Sequence, residues 1–118
     1  MQHYSSVGLA FGQALVDEDF ERAFQLLSPN LQRQCSPTEL RKKLGEMLSY
    51  APEDKPVRAV LDRELMASTN TDWPHKQPDD LGWVYVSILG EEFVEAVTVT
   101  VAQINGKMLI RDIEWGRP

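Results

Sequence analysis

The chain has 118 residues, 42% of them hydrophobic, enough for one core and too few for two, so residues 1–118 are read as a single domain. Its 12 Lys and Arg against 18 Asp and Glu leave a net charge of -6, which repels a phosphate backbone and sets nucleic acid aside as a partner. The single cysteine, Cys35, rules out an internal disulfide framework and fits a reducing compartment. With no basic leader ahead of an apolar run, and no stretch near the roughly 18 apolar residues that cross a bilayer, the expectation is a cytoplasmic protein away from membranes.

The first fifty residues read as three helices. Ser5 or Ser6 caps the first, whose Val7, Ala10, Phe11, Ala14 and Leu15 keep the spacing of one buried stripe up to Val16. Asp19 caps the second, with Phe20, Ala23, Phe24 and Leu27 inward, and Ser28-Pro29 stops it. Leu31 then packs in a turn. Ser36-Pro37-Thr38-Glu39 is a capping box with proline at the first helical position, ahead of Leu40, Leu44, Met47 and Leu48, and this third helix ends near Tyr50-Ala51-Pro52.

Beyond Pro56 the period changes from helical to extended. Val57 to Met66 reads as a strand, with Val60 breaking its alternation, and Ala67 to Asp80 as a long loop holding Trp73, Pro74 and His75. Three strands follow, Leu81 to Leu89, Glu92 to Ile104 and Lys107 to Trp115. Asn105-Gly106 fits a type I′ turn, and Gly90-Glu91 fits type II′. Parity splits these strands into two apolar faces. One carries Val84, Val86, Ile88, Phe93, Val97, Val99, Val101 and Ile110, the other Trp83, Tyr85, Val94, Ala96, Ala102, Leu109, Ile113 and Trp115. An antiparallel sheet usually keeps one face wet. Helices cover one of the two, and the other needs a second subunit or a ligand.

The helices around "ALVDEDFERAFQLLSP", the capped third helix and a meander closing on "GKMLIRDIEWGRP" resemble the nuclear-transport-factor-2-like superfamily. That cone-shaped α+β fold is shared by ketosteroid isomerases, scytalone dehydratase, SnoaL-type polyketide cyclases and many bacterial proteins. The resemblance implies three N-terminal helices packed on a curved, mostly antiparallel sheet, a pocket between them, and often a dimer across the outer sheet face. The family orientation would turn Trp83, Tyr85, Ser87, Thr98, Thr100, Arg111 and Trp115 toward the helices, with Thr100 opposite Arg111 and Ala96 opposite Trp115. Trp83, Tyr85, Thr98, Thr100, Arg111 and Trp115 are then the candidate ligand-binding residues, suited to a small organic molecule with an anionic or aromatic group, and Arg111 supplies the forked donors. The plainer alternative pairs Arg111 with Glu64 or another structural acid. The homodimer would use Val84, Val86, Val97, Val99 and Ile110.

Catalytic residues do not carry over from the superfamily. The first helix has Phe11 where ketosteroid isomerases place a tyrosine, and Tyr4 precedes the stripe. His3 and His75 have no acidic partner in the sequence pattern, no His or Cys pair has metal spacing, and no cofactor motif stands out. Cys35 ahead of a helix cap could have a lowered pKa from the helix dipole, but a lone thiol there reads rather as incidental. Glu95, Asp112 and Glu114 read either as a desolvated acid/base group or as a rim that blunts association. Three functions stay open: a small-molecule-binding or accessory domain, which is preferred; an isomerase, dehydratase or hydrolase on a small organic substrate; and an antidote-like module whose acidic surface masks a basic partner.

Overall fold

The computed structural model describes residues 3–49, 55–61, 77–91 and 93–116. Helix α1 (Tyr4–Val16) is capped by His3, whose Nδ1 accepts from the Ser5 N–H at 3.1 Å. The two serines expected as caps do other work. Ser6 Oγ donates to the His3 carbonyl at 2.6 Å, and Ser5 Oγ lies 2.8 Å from the imidazole. Val7, Phe11, Ala14 and Leu15 are buried as the spacing predicts, and Gly8 and Gly12 are buried beside them.

Those two glycines set how close α1 lies to the sheet. A Cβ on Gly8 would stand 2.5 Å from Val84 Cγ1, and one on Gly12 would stand 2.6 Å from Val86 Cγ1. Gly8→Ala should therefore lower stability by about 1–2 kcal/mol, because overpacking against a fixed strand outweighs the roughly 1 kcal/mol that alanine adds in helix propensity. Urea unfolding checks it. A more stable Gly8→Ala protein would show that Val84 yields freely.

Asp19 caps α2 (Phe20–Gln25), its carboxylate accepting from the Arg22 N–H at 3.3 Å. The chain then leaves the helix before Leu27. Leu26 and Ser28 bracket the edge of the sheet: the Ile110 N–H donates to the Leu26 carbonyl at 2.9 Å, and the Ser28 N–H donates to the Ile110 carbonyl at 2.7 Å. Ser28 also caps an unexpected short helix, α3 (Pro29–Gln34), accepting from the Leu31 N–H at 3.2 Å with Pro29 in its first turn. Ser28-Pro29 is thus a helix start, carrying the same signal as Ser36-Pro37. Ser36 caps α4 (Pro37–Met47) through the Glu39 N–H at 3.2 Å, and Leu40, Leu44 and Leu48 are buried.

Four strands, β1 (Arg58–Leu61), β2 (Asp80–Leu89), β3 (Val94–Ile104) and β4 (Lys107–Trp115), form an antiparallel meander in chain order. With the helices this is an α+β architecture. Asn105 and Gly106 have φ of 52° and 80°, as a type I′ turn requires. The β2–β3 connection differs from the expected two-residue turn. Leu89 pairs with Val94, so Gly90, Glu91 and Phe93 lie in the connection, and the Gly90 N–H donates to the Phe93 carbonyl at 3.1 Å. Gly90 does not use a positive φ. It is needed because the Phe93 ring lies on it, where a Cβ would meet the ring at 2.3 Å.

Val84, Val86, Ile88, Phe93, Val97, Val99, Val101 and Ile110 are all at most 2% exposed and form one core with Phe11, Leu15, Leu27 and Leu40. This corrects the orientation taken from the family: the valine face meets the helices, and Trp83 and Tyr85 lie on the other side. A flat valine surface accepts the glycine-lined backbone of α1, which bulky rings would hold away. A homodimer through Val84, Val86, Val97, Val99 and Ile110 is excluded, since that face is closed within one chain.

The second correction is a β-bulge. Val101 pairs with Ile110 but Thr100 pairs with Asp112, leaving Arg111 as the extra residue. Trp115 consequently sits opposite Val97, and not Ala96, while Ile113 sits opposite Val99. Both cross to the helix side, and the Trp115 ring meets the edge of Phe11 with centroids 6.4 Å apart. Asp112 and Glu114 are turned outward and exposed.

Candidate functional site

The six candidate residues divide into three places. Trp83 pairs with Thr100 and Tyr85 with Thr98, so these four form one patch on the outer face, with the rings half-buried and Thr100 buried. Trp115 lies on the helix side. Arg111 occupies the bulge and reaches a strand that is not its neighbour.

Its partner is Asp80, the first residue of β2, rather than Thr100. Arg111 Nε lies 2.5 Å from Asp80 Oδ1 and Nη2 lies 2.6 Å from Oδ2. The Asp80 side chain is 0% exposed and that of Arg111 is 22% exposed. Oδ2 also accepts from the Gln77 N–H at 2.8 Å, and the Asp80 N–H donates to the Gln77 carbonyl at 3.0 Å, so the carboxylate closes the turn that enters β2. The hydrogen bonds that the guanidinium donates to Asp80 hold it above its ordinary pKa against the opposing effect of burial. The forked donors expected to grip a ligand are engaged within the protein, as the structural alternative holds. Glu64, the other acid weighed for this pairing, lies outside the described residues, as do Trp73, His75 and most of their loop.

Two candidate residues do meet at a cleft. Tyr85 and Trp115 line a space of about 790 Å³ with Lys43, Glu46 and Met47 of α4, Glu95 and Gly116. Trp115 approaches from the helix side and Tyr85 belongs to the outer face, so the cleft wraps around the C-terminal end of β4. Glu95 stands opposite Ile88 at the end of the covered face, half-buried, and parts company with Asp112 and Glu114. The three acids form no group. Sequence reading took only the apolar stripe of α4 and missed Lys43 and Glu46 as a wall of the cleft, a role they gain from the strands across from them.

Cys35 ends α3 as well as preceding α4, and its N–H donates to the Leu31 carbonyl at 2.9 Å. Burial raises its thiol pKa, Glu39 raises it further, and Lys43 opposes them only in part. The direction is opposite to the lowering that a helix cap could give and agrees with the alternative that the thiol is incidental. Among the described residues, no three His, Cys, Asp or Glu side chains converge as a metal site. None of the described helices is long and apolar enough to cross a membrane. The chain matches no family model, and no curated protein or solved structure matches it.

Proposed function

We propose that the protein is a small-molecule-binding or accessory domain of the nuclear-transport-factor-2-like type, and that its ligand occupies the cleft at the end of β4. What supports the fold part is the arrangement of helices on one face of an antiparallel meander, which is compatible with a cone fold of that kind. What supports the binding part is a single observation: a space of about 790 Å³, of ligand size, lies where Tyr85 and Trp115 come together with charged groups.

The ligand is an aromatic organic molecule, because the apolar part of the wall is an indole, a phenol and the Met47 thioether. Lys43 takes the role first given to Arg111 for any carboxylate on that ligand. A thermal-shift screen of aromatic acids tests this. Saturating binding at a hundredfold excess over Kd adds about 2.7 kcal/mol of stability. Hits should stabilise the native protein and lose their effect in Lys43→Ala, whose exposed side chain makes its removal safe for the fold. A screen with no hit on the native protein counts against the binding reading, and hits indifferent to Lys43 move the carboxylate elsewhere.

A further inference from the structure

The edge of β4 is only half closed. Ile110 turns its N–H and carbonyl away from β3 and gives both to the segment Leu26–Ser28. At the other end the Gly116 N–H donates inward to the Ala96 carbonyl at 2.9 Å. Counting back in twos from Gly116, Glu114 and Asp112 also direct their backbone toward β3, so Ile113 and Trp115 direct theirs outward. The bulge at Arg111 makes this change of phase. Among the described residues no partner meets the outward N–H and carbonyl groups of Ile113 and Trp115. They face the rim of the cleft, where Trp115 and Gly116 stand across from α4.

We propose that this open edge receives an extended basic segment of a partner protein as a fifth strand. The pairing supplies backbone hydrogen bonds to Ile113 and Trp115, the recognition mode of strand addition. Side chains of the added strand alternate. Those opposite Asp112 and Glu114 lie on the outer face beside two exposed carboxylates, and those opposite Ile113 and Trp115 point toward Trp115, Met47 and the cleft acids Glu46 and Glu95. The edge therefore reads alternating basic and apolar residues, and the net charge of -6 steers such a segment toward it.

Charge also disfavours two registers in which β4 of a second copy would pair with this edge. Antiparallel self-pairing of Ile113 with Trp115 sets Glu114 against Glu114, and self-pairing of Ile113 with Ile113 sets Asp112 against Glu114. Like charges directly opposite each other disfavour both registers. The proposal rests on the backbone of β4 and the charge of its outer side, and it stands whether or not a small molecule enters the cleft.

The probe is a fluorescein-labelled peptide of alternating Lys and Val, followed by anisotropy on the full chain, with amide exchange read at Ile113 and Trp115. The peptide should bind and slow exchange at both amides. A Glu-Val peptide should bind at least about tenfold more weakly, and Asp112→Lys/Glu114→Lys, two exposed positions, should reverse that preference. A Lys-Val peptide N-methylated on its edge-facing residues keeps its charge and loses its donors, and should not bind. No binding of the first peptide overturns the proposal, and equal binding of the N-methylated peptide reduces it to charge attraction. A native protein of dimer mass with both amides already protected assigns the edge to a second copy.

Discussion

Val99→Asp leaves no folded protein, and does not yield a folded monomer from a dimer. Val99 is 0% exposed, pairs with Val84 on one side and Ile113 on the other, and belongs to the face that carries α1. A carboxylate there has no partner among its apolar neighbours, and burying it costs several kcal/mol on top of the lost packing. A domain of this size has about 5–15 kcal/mol to lose. Near-ultraviolet circular dichroism should be flat and the protein should aggregate on expression. A soluble, cooperative Val99→Asp monomer would mean that the valine face is not the core.

Arg111→Ala should cost about 2–4 kcal/mol, somewhat under the usual loss for a broken buried pair because the guanidinium is partly exposed. The cost is that of Asp80, which stays in a fully covered position after losing two charged donors. The melting temperature should fall by about 10 °C. Asp80→Asn/Arg111→Ala should be less destabilised than the two single changes added together, since each removes the same interaction. A loss below about 0.5 kcal/mol in Arg111→Ala would mark the pair as a surface contact worth little, and would return the guanidinium to the list of groups available for a ligand.

Some local signals in this sequence were faithful and others were not: His3 replaces Ser5 or Ser6 as the first cap, Ser28-Pro29 starts a helix, and Gly90-Glu91 is not a two-residue turn. Asp19, Ser36 and Asn105-Gly106 each act through hydrogen bonds or φ angles within a few residues, and each does what its sequence indicates. The valine set was also legible, because alternation is a property of the strand itself. Which face the helices cover was not. That depends on Gly8 and Gly12, whose missing side chains give no hydrophobic signal and acquire meaning only against Val84 and Val86. Likewise the Arg111 bulge leaves no mark in β4, yet it carries Ile113 and Trp115 across the sheet and separates Trp115 from the threonines. The candidate site was thus legible as a set of residue types but not as a place. Trp83, Tyr85, Thr98 and Thr100 do share a surface, while the acid that holds Arg111 lies 31 positions away, beyond the reach of any spacing argument.

The order of elements along the chain also fixes the order in which its surfaces find cover during synthesis. Among the described residues the four helices precede the four strands, so Phe11, Leu15, Leu27 and Leu40 leave the ribosome before the valines that bury them. The contact of Leu27 with Ile110 closes only after the first three strands have emerged. The meander, by contrast, pairs each strand with its neighbour in sequence and can assemble by local steps once started. The apolar faces of the N-terminal helices therefore stay uncovered until the strands that bury them have been made, and the last strand supplies Ile110 to that cover.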